Sequence, residues 1–161
     1  MHFRATRRSV ARGLAATWDG VLVDVLGPSP PSRPPWRTRN DDSVVLTLRY
    51  GEIVVVLTGD IEAAGERALH VPHAFALKVA HHGSRSSSSP GFLAQSAPRV
   101  AIVSVGDHSR FGHPHPEVVE RLRRAGVRLF RTDRDGAVTL STDGERVWMA
   151  TYADGWEARI R

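Results

Sequence analysis

The chain has 161 residues, 41% of them hydrophobic, which suits one domain with a real core. It contains no cysteine, so disulfides and thiolate metal sites are excluded, and any metal must be held by imidazole, carboxylate and water. The formal charge of +5 rests on arginine, with Lys78 the single lysine; that balance suits a polyanion such as nucleic acid and equally reflects GC-rich coding. Apolar runs are too short for a membrane span, and no long apolar core follows the basic stretch from Met1 to Arg8, which argues against a secretory signal.

Residues 1–20 are weakly patterned and read as a poorly defined N-terminal segment, with a short helix expected from Val10 to Ala16. A single domain is expected over residues 21–161. Val21 to Leu26 reads as a strand stopped by Gly27-Pro28. Five prolines and no hydrophobic period make 27–42 a surface loop or linker, closed by Asn40-Asp41-Asp42. Ser43–Tyr50 and Ile53–Thr58 form a hairpin about Gly51-Glu52, and the second run, apolar on both faces, belongs deep in a covered sheet. Asp60 to Leu69 reads as a helix that Asp60 can cap, with Glu62 in its first turn. Phe75–Ala80 is the next strand, and Ser84–Ser89 a polar, flexible loop. A short helix near Pro90–Ser96, a buried strand Val100–Val105 and a helix Pro116–Ala125 ended by Gly126 follow. Val127–Phe130, Ala137–Leu140 and Val147–Thr151 read as short strands. The alternation gives a layered α/β domain.

Two motifs stand where strands leave this core: Thr58-Gly59-Asp60, and His81-His82-Gly83-Ser84 after Leu77-Lys78-Val79-Ala80. One helix joins their strands, so the strands should run parallel and end at the same rim, where ligands gather in open α/β sheets. A carboxylate there can bridge two divalent ions and an imidazole can hold one of them; two such ions can ionise a water and neutralise an oxyanion. Gly83 lets the backbone turn away, and Ser84 offers a hydroxyl. Asp60 alone also reads as a helix cap, and the histidine pair as surface residues at a strand end.

These motifs, with Arg39-Asn40-Asp41-Asp42-Ser43, Phe111-Gly112-His113-Pro114-His115-Pro116 and Arg131-Thr132-Asp133-Arg134-Asp135-Gly136, resemble the metallo-β-lactamase-fold superfamily. The narrower likeness is to the C-terminal hydrolase domain of ComEC-type competence (DNA-internalisation) proteins, over residues 20 to 142. The resemblance implies an αββα fold and a two-metal phosphodiesterase, a nuclease using zinc or manganese that degrades one strand of incoming DNA. It implies Asp60 and His81 as metal ligands and His82 and His113 as catalytic groups, His113 orienting or protonating the leaving oxygen. It places Ser84, Arg85 and His115 on the substrate, although His115 also suits the cap of the helix that Pro116 begins.

The superfamily's first metal motif, H-x-H-x-D-H, is absent, and His2 is the one histidine before Asp60. The expectation is therefore the C-terminal half of the fold plus part of the first half. Such a chain would bind metal weakly alone, be inactive alone, and pair with a complementing N-terminal half. The family's membrane-spanning remainder would place this domain on the extracytoplasmic side; the residues themselves fix no compartment. Two other readings stand beside this one. One is another hydrolase of the superfamily. The other is a catalytically inert nucleic-acid-binding or interaction module, with Arg121, Arg123, Arg124, Arg128 and Arg131 as a basic face for single-stranded DNA, or as an ordinary solvated face.

Overall fold

A computed structural model describes residues 12–28, 39–107 and 109–161. Asp19 and Gly20, with φ of 48° and 81°, turn the chain between β1 (Ala15–Trp18) and β2 (Val21–Gly27). This is two-residue hairpin geometry, whose twist suits the flanking strands. It overturns the helix expected up to Ala16: Ala15 and Ala16 pair with Asp24 and Val23. Pairing to an apolar strand outweighs the weak helix preference of two alanines. Val10 and Ala11, like most of the proline-rich segment, lie outside the described residues.

β3 (Val45–Tyr50) and β4 (Ile53–Leu57) form the expected hairpin about Gly51-Glu52. β5 (Ala76–Lys78), β6 (Val100–Val103) and β7 (Arg128–Arg131) then add in parallel. The main sheet runs in chain order from β1 to β7, its first three pairings antiparallel and its last three parallel. Between the parallel strands lie α1 (Ala63–Ala68), α2 (Pro90–Ser96) and α3 (Pro116–Arg124).

Alternation along β4 divides its side chains between two cores. Val54 and Val56 join Leu77, Ala101, Phe92, Leu93, Val118 and Leu122 beneath the helices. Ile53 faces the other way and packs with Phe75, Ala76, Val100, Phe130, Val147 and Met149. The last two belong to a separate antiparallel sheet of β8 (Val138–Thr142), β9 (Val147–Thr151) and β10 (Glu157–Arg159). The layers are thus helices, main sheet and second sheet, a mixed α/β architecture. On the second-sheet side, Val21, Leu48, Val55, Leu57 and Leu140 line an open apolar groove of about 490 Å³. Among the described residues no helix is long and apolar enough to cross a membrane.

Candidate functional site

Four loops leave the C-terminal ends of β4 to β7 at one rim, and hydrogen bonds tie them together. Thr58, fully buried, donates its hydroxyl to the Lys78 carbonyl at 2.6 Å. The His81 N–H donates to the Gly59 carbonyl at 3.1 Å, so the turn carrying Asp60 and the turn carrying His81 are directly joined. Gly59 has φ of +54°, and a Cβ there would stand 2.7 Å from Ser43 Cβ, so only glycine lets the chain pass.

The helix after Asp60 starts later than the sequence suggested, at Ala63, and Asp60 does not cap it. Asp41, more than twenty residues earlier, does: its Oδ1 accepts the N–H of Glu62 at 2.7 Å and of Gly65 at 3.0 Å. A cap residue from a distant loop leaves the half-buried Asp60 carboxylate to the rim, while the Asp60 N–H donates to Ser43 Oγ at 3.1 Å.

His81, His82 and Gly83 hold three consecutive left-handed conformations, with φ of 47°, 53° and 81°. For the two histidines this costs about 1–2 kcal/mol each. Nδ1 of His81 faces the Asn40 amide at 3.3 Å and the Glu62 carboxylate at 3.5 Å. Nδ1 of His82 lies 2.6 Å from the Ser104 carbonyl. A carbonyl only accepts, so this nitrogen carries a proton and Nε2 is the ring nitrogen left facing away from the Ser104 contact.

Gly83 seats the next loop. A Cβ on it would meet Pro114 Cβ at 2.6 Å, and its carbonyl accepts the His115 N–H at 2.8 Å. His113 is thereby set edge-on to His81, ring centroids 5.7 Å apart, and Phe111 stacks on it at 5.9 Å. Burial pushes the His113 pKa below its ordinary value, helped by His81, His82 and His115, which favours the neutral imidazole. Lys78 is half-buried; burial lowers its pKa too, and the nearby Asp60 carboxylate offsets part of that.

The remaining expected site residues are occupied by the protein itself. His115 caps α3 through Nδ1, which accepts the Glu117 N–H at 3.3 Å. Arg85 pairs with Glu117 at 2.8 Å, and Ser84 Oγ bonds Ser86 Oγ at 3.1 Å. The loop from Ser84 to Ser89 is fixed, not flexible as its composition suggested: Ser87 and Ser88 are buried. The buried Glu66 carboxylate accepts the N–H of Ser88 and of Ser89, the latter at 2.8 Å. Arg121 donates to the carbonyls of Arg85, Ser87 and Ser88.

The supposed basic face is likewise engaged. Arg123 and Arg124 both bond Glu120, whose pKa they lower to about 2. Arg128 stacks over Trp156, and Arg131 pairs with Asp133 at 2.5 Å. Thr132 bonds both the N–H and the carbonyl of Val105, at 2.8 and 2.7 Å, which fixes the strand end whose Ser104 carbonyl holds His82. The sequence points to no site role for Asn40, Asp41, Ser43, Glu66, Ser104 or Thr132. Asn40 and Asp41 stand out only as turn residues, and Asn40 to Ser43 and Thr132 as members of motifs.

Zinc or manganese was expected here on Asp60 and His81. Among the described residues no group of three or more histidine, aspartate or glutamate side chains converges to hold a metal ion. Two donors fall short of the three protein ligands that even an open catalytic zinc site uses, so this donor set does not fit a two-metal centre by itself.

No family model matches the chain. Parts of bacterial competence proteins do resemble it. ComE operon protein 3 of Bacillus subtilis is 38% identical over 133 residues, 80% of this chain and 17% of that protein. Competence protein ComA of Neisseria gonorrhoeae is 36% identical over 129 residues, 75% of this chain and 18% of that protein. Recombination protein 2 of Haemophilus influenzae is 33% identical over 148 residues, 89% of this chain and 18% of that protein. The chain thus spans under a fifth of the length of these curated relatives.

Proposed function

We propose that this chain carries one catalytic rim of a metallo-β-lactamase-like nuclease that acts on DNA during its uptake. The observation that carries the reading is the joining of three separated motifs at the C-terminal ends of parallel strands. His81 bonds the turn of Asp60, and His113 stands edge-on to His81. The likeness to segments of competence proteins supports a role in DNA uptake.

In this reading Asp60 and His81 each supply a metal donor, and the other donors come from polypeptide outside this chain. The chain's own contribution is orientation. Glu62 faces Nδ1 of His81 and Ser104 fixes His82, the outer contacts that set which ring nitrogen a ligand meets. His113 orients the leaving oxygen of the scissile phosphodiester or protonates it.

The test offers zinc and manganese in turn to the purified chain, with labelled single-stranded DNA. Metal content, binding and cleavage are then read. The expected result is DNA binding with little metal and no cleavage, both gained when a polypeptide bearing H-x-H-x-D-H is added and both lost again in Asp60→Asn. Cleavage that Asp60→Asn leaves untouched would refute the assignment, and so would a chain that binds no DNA.

A further inference from the structure

Phe111 is 83% exposed, yet it is no loose end. Its loop is turned by Gly112 at φ of +66° and pinned by two bonds to Ser109, from the Gly112 N–H at 3.0 Å and from the His113 N–H at 3.2 Å. One ring face lies against His113, with an interplanar angle of 25°, and the opposite face is open to solvent. Phe111, His113 and His81 are therefore linked by successive ring contacts, at centroid spacings of 5.9 and 5.7 Å, with the exposed Phe111 ring at one end. The exposed Arg110 precedes it.

An aromatic face fixed in this way beside phosphate-handling groups is what single-strand binding uses. Every base has a π-face, so stacking tolerates any sequence, but it needs a base that is not already paired and stacked in a duplex. We infer that Phe111 is a stacking platform for a nucleobase of single-stranded DNA, placed so that the phosphate next to that base falls on His113, beside His81. The inference rests on the nuclease reading above and adds to it the residue that holds the substrate's base. The ring selects a single strand, and it registers the strand so that one phosphodiester meets the histidines.

The experiment measures fluorescence anisotropy of three labelled probes with the full chain: a thymidine oligonucleotide, an abasic strand of the same length, and a duplex. Substitution at Phe111 should not disturb folding, because the side chain is almost wholly outside the core. Expected are a preference for the base-bearing single strand, a loss of about tenfold or more in Phe111→Ala on that probe alone, and recovery in Phe111→Trp. If Phe111→Ala binds the thymidine strand as the parent chain does, the platform is wrong and the nuclease reading survives. If the parent chain binds none of the three probes, the nuclease reading falls and the platform with it.

Discussion

Gly83 is the hinge on which the site's geometry turns, and Gly83→Ala measures this. Two costs add. At φ of +81° an alanine enters a region that L-residues avoid, worth about 1–2 kcal/mol. Its Cβ would also stand 2.6 Å from Pro114 Cβ and 3.0 Å from Pro114 Cα, carbon against carbon with backbone behind it, so one loop must move. Overpacking of this kind costs about 1–3 kcal/mol. The expected loss is about 2–5 kcal/mol, large against the 5–15 kcal/mol that holds a domain together. Gly126→Ala separates the two terms. Gly126 has φ of +70° and nothing within 4 Å of a built Cβ, so it should lose the conformational part alone. The assay is urea unfolding at constant m, with NMR contacts between the His81 and His113 rings read on the folded protein. Equal losses for the two variants would refute the reasoning, because the Pro114 contact would then contribute nothing.

Two further outcomes follow from buried carboxylates. Glu66→Ala strands the N–H groups of Ser88 and Ser89 without an acceptor, which should cost about 3–5 kcal/mol in urea unfolding and free both amides to exchange. Asp133→Asn removes the charge that Arg131 holds, about 2–3 kcal/mol for a pair that is mostly buried. The hydrogen bond from Arg131 keeps the Asp133 pKa below its ordinary value, so the folded state binds this proton less readily than the unfolded state. The stabilisation is then complete above the ordinary carboxylate range and fades as pH falls through the folded-state pKa. The stability gap between the parent and Asp133→Asn should therefore close in acid, and a gap that widened in acid would reverse the assignment.

What the sequence showed plainly was anything written in apolar runs. The β3–β4 hairpin, the parallel β4–β5 unit and the common rim of Thr58-Gly59-Asp60 and His81-His82 follow from two adjacent runs and one helix between them. What it hid were partnerships made across the fold. Asp60 sits where a cap should, and nothing local says that Asp41 takes the role from another loop. A run of serines looks mobile until Glu66 and Arg121, each remote in sequence, are seen to hold its backbone. Asp19-Gly20 was different, because its hairpin signal is local and strong; the alanines before it drew the reading toward a helix instead. The second sheet hid for a third reason: short alternating strands declare that they pair, but not with which sheet.

The left-handed pair at the rim bears on why the nuclease reading is preferred to an inert module. Two neighbouring non-glycine residues at φ near +50° cost stability, and glycine at either position would remove the strain. The surrounding structure holds them there nonetheless. The His81 N–H is bonded to Gly59, its carbonyl accepts from Ser84 at 2.8 Å, and each ring is met at Nδ1 by a group from another loop. Asn40, Glu62 and Ser104, drawn from three separate segments, meet no apolar demand by doing so. They set the direction of two imidazoles that a merely stable fold could omit. Strain kept in place by convergent polar contacts, with both rings directed by their inner nitrogens, is what the proposed site would require and an inert module would not.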